Sequence, residues 1–452
     1  MLHTPLTKYK KPRFLTLPQI VVIGYVGIIL CGSLLLSLPF ATKGGSIRYI
    51  DALFTSASAT CVTGMTVSNT YLTFTAFGQI IILLLVQVGG LGFMTLSSAF
   101  YIMIGKRMAL RTQLDIQNDL NDEGGANSFK KIIKQIMMIA FSVELMGAII
   151  LSAALTKYYS FGTALSKGVF LAISAFCNAG FDLTESGTSL MPFNGDAVVL
   201  ITTAALIIIG GIGFLVIRDI LSKKRWSRIK LHTKAVILTS VSLILLGTLV
   251  FCFAEWNKNS MQNMNAGQKI LNAFFISVSA RTAGFDSIDC SLLSQPSSLI
   301  LLFLMFIGAS PSSTGGGIKT TTLFVLLIAT LSAIRSKKTV EIAKREISFK
   351  IILKALATLV ISGVFIFISL FLLTITDGLQ FSQQHILFEE VSAFSTVGLS
   401  MGIIKGLSVA GKMIIILTMF IGRVGMLTFF ISLTHRTLGD SKIKFKDAQI
   451  SI

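Results

Sequence analysis

The chain has 452 residues, 53% of them hydrophobic and 13% charged, with a mean hydropathy of +0.80. Such a composition excludes a soluble globule and points to an integral membrane protein. Thirty-nine Lys and Arg against 20 Asp and Glu give a formal charge of +19. The five cysteines (Cys31, Cys61, Cys177, Cys252, Cys290) and four histidines (His3, His232, His385, His435) are too dispersed for a disulfide framework or a clustered metal site.

The basic N-terminus, MLHTPLTKYKKPRF, runs into a long apolar stretch without a clear small-residue cleavage site, which predicts a retained first span. That span covers Gln19–Pro39. A shorter, less apolar segment follows at Asp51–Ser68, and then a long apolar run, Phe77–Ile104, closed by Gly105-Lys106-Arg107. Long, short, long is the pattern of helix, re-entrant pore loop, helix. It recurs with spans near Ile132–Leu155 and Ala197–Ile220 around Ser166–Leu183. It recurs again with Ala235–Ala254 and Leu299–Ile334 around Ile270–Asp286, and with Ile351–Ile375 and Gly411–Leu433 around His385–Gly402. The expected fold is an all-α membrane protein, a fourfold pseudo-symmetric repeat with eight transmembrane helices and four re-entrant pore loops. Its divisions are a cytoplasmic N-terminus (1–18), repeats 19–107, 108–225, 226–338 and 339–434, and a cytoplasmic tail (435–452).

The short segments align without gaps as SASATCVTG, ISAFCNAG, VSARTAG and VSAFSTVG, ending at Gly64, Gly180, Gly284 and Gly398. A second glycine feature follows each of them: Gly89-Gly90-Leu91-Gly92, Gly210-Gly211-Ile212-Gly213, Gly308, and Gly422-Arg423-Val424-Gly425. For this second set, close helix packing through small residues is an alternative that needs no functional role.

The third unit departs from the others. Phe303–Thr322, FLMFIGASPSSTGGGIKTTT, cannot continue a lipid-facing helix. Irregular backbone at membrane depth survives only where protein buries it or where it lines a water-filled cavity, so the stretch suggests a pathway with a mobile plug across it. Three ionisable residues, Glu144, Lys319 and Arg423, fall inside expected spans, where charge is costly and either paired or functional. Arg423 is placed to hydrogen-bond the plug's carbonyls and hold it shut. A cation near mid-pore at Lys319 or Arg423 opposes cation passage through a closed route. Glu144 can equally be a hidden pairing that only fixes packing.

Charge sets the orientation. Of the 39 basic residues, 28 fall in the N-terminus, Lys106–Lys134, Arg218–Lys234, Arg335–Lys354 and Arg436–Lys446, all on one side if each unit is span–loop–span. The positive-inside rule then makes both termini cytoplasmic and brings the pore loops in from outside, across the plasma membrane. The surplus of charge is topological. It favours anionic membrane lipids and an acidic partner face, with no nucleic acid as partner.

A cation needs its hydration shell replaced, and carbonyl rings at the ends of short pore helices can do this for potassium. Glycine suits the pivot of such a turn, and a helix C-terminus aimed at the axis adds negative potential. The candidate filter is therefore Val62, Thr63 and Gly64; Asn178, Ala179 and Gly180; Thr282, Ala283 and Gly284; and Thr396, Val397 and Gly398. Arg281 beside this filter must point away, into the pore-helix layer or toward Asp286, Asp289 or Glu255. The alternative is a plain structural salt bridge. GGGIKTTT lacks the spacing and preceding strand of a Walker loop, and GGLGF and GGIGF lack the third glycine of a dinucleotide fingerprint. No catalytic constellation appears, so the chain is read as a non-enzyme with no cofactor of its own.

From Gln19 to about Leu433 the chain resembles the superfamily of potassium transporters that includes the Trk, Ktr and plant HKT proteins. The resemblance rests on SASATCVTG, ISAFCNAGFDL, ARTAGF, MFIGASPSSTGGGIKTTT, SAFSTVGLSMG and FIGRVG. It is similar above all to the membrane subunits of bacterial Ktr systems, because the first span leads directly into the first pore loop. The resemblance implies potassium-selective uptake, potassium bound at the filter carbonyls, a homodimer with one pore per protomer, and a cytosolic (KtrA-like) ring of regulatory subunits that binds nucleotide. It makes sodium a possible activator. It implies an intramembrane gate at Ala309, Ser310, Pro311, Ser312, Ser313, Thr314, Gly315, Gly316 and Gly317. Lys319 and Arg423 are expected to control that gate. Some relatives carry serine at the position of Gly64 and pass sodium. A sodium-permeable transporter and the membrane subunit of an ATP-driven pump remain as rival readings.

Overall fold

The computed structural model describes residues 17–92, 126–223, 225–262, 264–337, 339–342 and 345–433. The basic N-terminal stretch, the run from Phe93 through the first basic loop, and the tail expectation at 435–452 lie outside the described residues. In chain order the α-helices are α1 (Leu17–Leu36), α2 (Tyr49–Cys61), α3 (Thr70–Thr73), α4 (Ala76–Leu91), α5 (Ala126–Leu155), α6 (Phe161–Phe176), α7 (Ala197–Ile212) and α8 (Phe214–Ser222). They continue with α9 (Leu231–Glu255), α10 (Ala266–Ser279), α11 (Gln295–Phe306), α12 (Thr320–Ile334), α13 (Phe349–Asp377), α14 (Gln383–Phe394), α15 (Val409–Val424) and α16 (Met426–Leu433). Among the described residues the only sheet is a two-stranded antiparallel ladder, Glu341–Ile342 with Arg345–Glu346.

Four helices, 18–36, 133–155, 231–255 and 349–377, are long and apolar enough to cross a membrane. Most of their side chains face outward: Phe253 is 87% exposed and Phe367 70%. Water does not tolerate such surfaces and hydrocarbon does, so this is a helical membrane protein. Two more apolar helices are sharply bent pairs. Ala197–Ile212 turns through 94° into Phe214–Ser222, and Val409–Val424 through 97° into Met426–Leu433.

The expected spans Ala197–Ile220 and Gly411–Leu433, each with a glycine kink, are bent sharply at that glycine. The hinge residues Gly213 and Gly425 have φ of +100° and +89°, and Gly92, where α4 ends, has +83°. Side chains resist that backbone region and glycine does not. Helix α4 ends at Leu91, and the rest of the expected run to Ile104 lies outside the described residues. Beyond its hinge, α8 is pinned to the start of α9. Asp219 accepts from Lys230 N (2.9 Å) and Thr233 Oγ1 (2.8 Å) and pairs with Lys223 Nζ (3.0 Å).

The short helices α2, α6, α10 and α14 form the buried centre. Each is wedged between neighbours, α2 against α1 and α4, α6 against α5 and α7, α10 against α9, and α14 against α13 and α15. The second set of glycines makes this possible by removing side chains. An ideal Cβ on Gly89 meets the Thr60 carbonyl oxygen at 2.1 Å, one on Gly210 meets Phe176 O at 1.9 Å, and one on Gly422 meets Phe394 O at 1.9 Å. Close packing is thus what these three glycines provide, each against the C-terminal turn of a short helix. In the third unit the chain leaves α11 at Phe306, makes a loop and restarts at Thr320, so the expected interrupted span is two separate helices. The ends of the chain's core meet through a buried ion pair between Lys412 on α15 and Asp51 on α2 at 2.7 Å.

Gly210→Ala and Gly422→Ala must displace a backbone carbonyl, at a cost of about 1–3 kcal/mol or more. Gly363 in α13 has nothing within 4 Å of its would-be Cβ, so Gly363→Ala is expected to be neutral or stabilising by roughly 0.5–1 kcal/mol. Thermal unfolding in detergent should separate them, with the first two variants falling and the third holding or rising.

Candidate functional site

Each short helix ends in the same way. One to three residues past the helix end, a residue takes up a left-handed conformation: Val62 (φ 59°), Asn178 (59°), Thr282 (79°) and Thr396 (51°). Two residues further on stands a glycine, again with positive φ: Gly64 (88°), Gly180 (69°), Gly284 (72°) and Gly398 (101°). In three of them a backbone bond closes the turn in Schellman fashion: Thr63 N to Ser58 O (2.8 Å), Ala179 N to Ser174 O (2.8 Å) and Val397 N to Ser392 O (2.9 Å). In the third helix Ala283 N instead reaches Ser279 O at 2.9 Å.

The four glycines meet one another in a closed cycle. A Cβ on Gly64 would lie 2.5 Å from Ala179 O, one on Gly180 2.8 Å from Ala283 O, one on Gly284 2.1 Å from Val397 O, and one on Gly398 2.0 Å from Thr63 O. Every carbonyl in the cycle belongs to the residue just before the next glycine, so the wall of this ring is backbone. Side-chain hydroxyls secure it from behind. Ser392 Oγ accepts from Gly398 N (3.0 Å) and donates to Leu399 O (2.8 Å), and Ser279 Oγ donates to Phe285 O (2.7 Å). A ring of carbonyl oxygens held this way can take the place of a cation's water shell.

Above the ring lies a cavity of about 350 Å³ lined by all four glycines and by Asp182, Asp286 and Asp289. Three Asp carboxyls against one lysine, Lys405, line it, and ionised carboxylates at such a mouth raise the local concentration of cations. Asp182 and Asp286 each stand two residues past a ring glycine, where the other two segments carry Thr66 and Ser400.

Below the ring lies the Ala309–Gly317 loop. Its two ends are joined by a bridge between Ile307 and Ile318 and by Ala309 N to Gly316 O (3.2 Å). It is bound to the α7–α8 hinge by Ser310 N to Gly211 O (3.1 Å), Thr314 N to Gly210 O (3.3 Å) and Phe214 N to Ser312 O (3.0 Å). Pro311 sits over Gly213, with its carbonyl where a Cβ on that glycine would be. Ser313 Oγ closes back on Ser310 O at 2.6 Å. The loop also touches the turns above it. Gly316 N donates to Thr396 Oγ1 (3.0 Å), Gly315 packs on the Thr282 hydroxyl, and Thr314 Oγ1 donates to Phe176 O (3.2 Å).

Both spanning cations contact this assembly. Arg423 donates to Thr314 O of the loop, to Gly89 O, and to Gly90 O (3.3 Å). One guanidinium on α15 therefore binds the loop to the end of α4. Lys319 Nζ donates to Gly315 O at 2.9 Å. Glu144 is elsewhere, behind α6, accepting from Gln87 Nε2 (3.0 and 3.2 Å) and from the Cys177 thiol. Arg281 makes none of the ion pairs weighed for it. It turns back to α9 and donates to Ser240 O (3.3 Å) and Ser240 Oγ (3.1 Å). Glu255 is satisfied by Ser260 and Ser294 instead, so among the described residues no carboxylate pairs with Arg281.

Two features escaped sequence reading. The left-handed residues include β-branched Val62, Thr282 and Thr396, for which that conformation costs about 1–2 kcal/mol each. Nothing in local propensity announces it. The hinges at Gly213 and Gly425 were legible as glycine kinks, but the size of their bend was not.

The comparisons agree on one relationship. A family model described as TrkH, cation transport protein, matches residues 19–438. The Ktr system potassium uptake protein B of Bacillus subtilis is 40% identical over 438 residues, covering 96% of this chain and 96% of that relative. The protein of the same name from Vibrio alginolyticus is 41% identical over 415 residues, covering 91% and 90%. The potassium/sodium uptake protein NtpJ of Enterococcus hirae is 37% identical over 418 residues, covering 92% of each. The crystal structure of the potassium transporter TrkH from Vibrio parahaemolyticus superposes with a TM-score of 0.74 at 18% identity, covering 96% of this chain and 87% of that one, which is a likeness of fold.

Thr396→Val removes the acceptor of the buried Gly316 N–H, which should cost about 1–3 kcal/mol, while Thr396→Ser keeps it. Hydrogen exchange at Gly315–Gly317 should accelerate in the valine variant and stay slow in the serine variant. Equal exchange in both would detach the ring from the loop.

Proposed function

The chain belongs to the TrkH family of cation transport proteins, and from that premise we propose that it takes up potassium across the plasma membrane through a channel-like pore. The single observation that carries this reading is the closed ring in which Thr63 O, Ala179 O, Ala283 O and Val397 O each occupy the place of the next glycine's Cβ. A potassium ion descending from the acidic mouth exchanges water for these oxygens, with Val62, Asn178, Thr282 and Thr396 supplying a second layer. The inward-negative potential drives it by about 2.3 kcal/mol per 100 mV. In this reading the units 19–107, 108–225, 226–338 and 339–434 are four repeats around the pore, with eight spans and both termini in the cytoplasm.

The loop Ala309–Gly317 is the gate, and Arg423 and Lys319 are its latches, supported by their hydrogen bonds to Thr314 O and Gly315 O. Opening must break these bonds together. A homodimer and a cytosolic nucleotide-binding regulatory ring fit the two relatives named for Ktr systems. A second reading, in which sodium also passes or activates, is favoured by the relative named for potassium and sodium uptake.

Purified protein in liposomes tests the filter. Gly398→Ser introduces a Cβ 2.0 Å from Thr63 O at φ +101°, so it should widen or distort the ring and lower the potassium-to-sodium uptake ratio by about tenfold, the equivalent of about 1.4 kcal/mol. An unchanged ratio removes the ring from selectivity. Deleting residues within Ala309–Gly317 should raise potassium flux in the absence of any partner. A stable, folded deletion with unchanged or lower flux ends the gate assignment.

A further inference from the structure

A second cavity, of about 540 Å³, lies under the gate loop between α12, α13 and the α15–α16 hinge. That volume falls within the roughly 300–1,000 Å³ typical of small-molecule sites. Its lining includes Lys319, Lys354, His232, Thr321, Thr322 and Ser362, and it includes no Asp or Glu. Lys319 lies within an expected span, where charge calls for a partner, while Lys354 is exposed. Lys319 spends one proton on Gly315 O, and Lys354 Nζ has no ion-pair partner among the described residues.

Two further observations point to a missing ligand. Ser362 is 1% exposed and its hydroxyl has no hydrogen-bond partner, and His232 Nε2 is buried without one. The 15-residue helix α12 also opens into the cavity with its first turn, where helix geometry favours anions. Buried polar atoms without partners are rare in folded proteins unless something else satisfies them.

We propose that this cavity binds a phosphate group, held by Lys354, His232, Lys319, Ser362 and the first turn of α12. The phosphate is that of an anionic phospholipid headgroup or of a soluble phosphate. Ile351 and Leu427 supply an apolar wall that suits an acyl chain. A bound phosphate shares the Lys319 ammonium with Gly315 O, so occupancy weakens one latch of the gate. The site itself rests on the cavity's residues. Its position on the cytoplasmic leaflet and its effect on the gate rest on the proposed function.

Binding is read without ion flux. Delipidated protein is examined by native mass spectrometry with phosphatidylglycerol or phosphatidylcholine, and by ³¹P line broadening with inorganic phosphate. Two variants are compared, Lys354→Gln with His232→Gln as the disabled form and Lys354→Arg as the charge-preserving control. Phosphatidylglycerol retained by wild type and by Lys354→Arg, and weakened about tenfold in the double variant with phosphatidylcholine unaffected, supports a lipid source. Broadening of inorganic phosphate with the same variant pattern supports a soluble source. Binding of neither, or equal binding by wild type and a double variant that elutes as a folded protein, overturns the site. Potassium flux in liposomes, run separately, would fail on its own if the transport reading were wrong.

Discussion

The structure depends on a steric exclusion. At four places the carbonyl oxygen of one segment stands where a side chain of the next would begin, between 2.0 and 2.8 Å from an ideal Cβ. Glycine at Gly64, Gly180, Gly284 and Gly398 is therefore a condition of closure, since any Cβ pushes a neighbour's backbone outward. The same device acts one layer out, where Gly89, Gly210 and Gly422 let three flanking helices touch the carbonyl ends of α2, α6 and α14. The result is two shells of backbone-on-backbone contact.

That arrangement carries strain. Val62, Thr282 and Thr396 hold left-handed conformations that β-branched residues avoid. The return is positional, because the conformation brings these side chains onto the layer beneath. Thr396 takes the Gly316 N–H, Thr282 packs on Gly315, and Val62 on Gly89. A glycine would have relaxed the turn and lost these contacts. Strain stored at such a junction is characteristic of functional sites. Here Thr282 and Thr396 touch the loop below the ring.

The layer below is asymmetric. In three units a glycine fills the space under the short helix. In the third, the chain folds into a loop whose backbone bonds to the α7–α8 hinge, to Thr396 and to Arg423. Arg423 also reaches Gly89 O and Gly90 O, so one side chain joins three parts of the fold that are distant in sequence. A cation buried here is stabilised by carbonyl dipoles instead of a carboxylate. Losing one of those carbonyls would leave the charge less satisfied.

Hydropathy, the spacing of Gly64, Gly180, Gly284 and Gly398, and the break at Ala309–Gly317 determined by themselves that this chain is a helical membrane protein with short buried helices around glycine turns. They could do so because span length and the demand for small residues are one-dimensional properties, written in composition and period. The 94° and 97° hinges, the Lys412–Asp51 pair, the turn of Arg281 toward Ser240 and the bonds of Arg423 were decided only by tertiary structure. Each depends on which carbonyl or carboxylate arrives from a segment up to several hundred residues away, and no local propensity encodes that meeting. The left-handed turns at Val62, Thr282 and Thr396 belong to the same class, because their cost is local and their compensation comes from the glycines and loop packed beneath them.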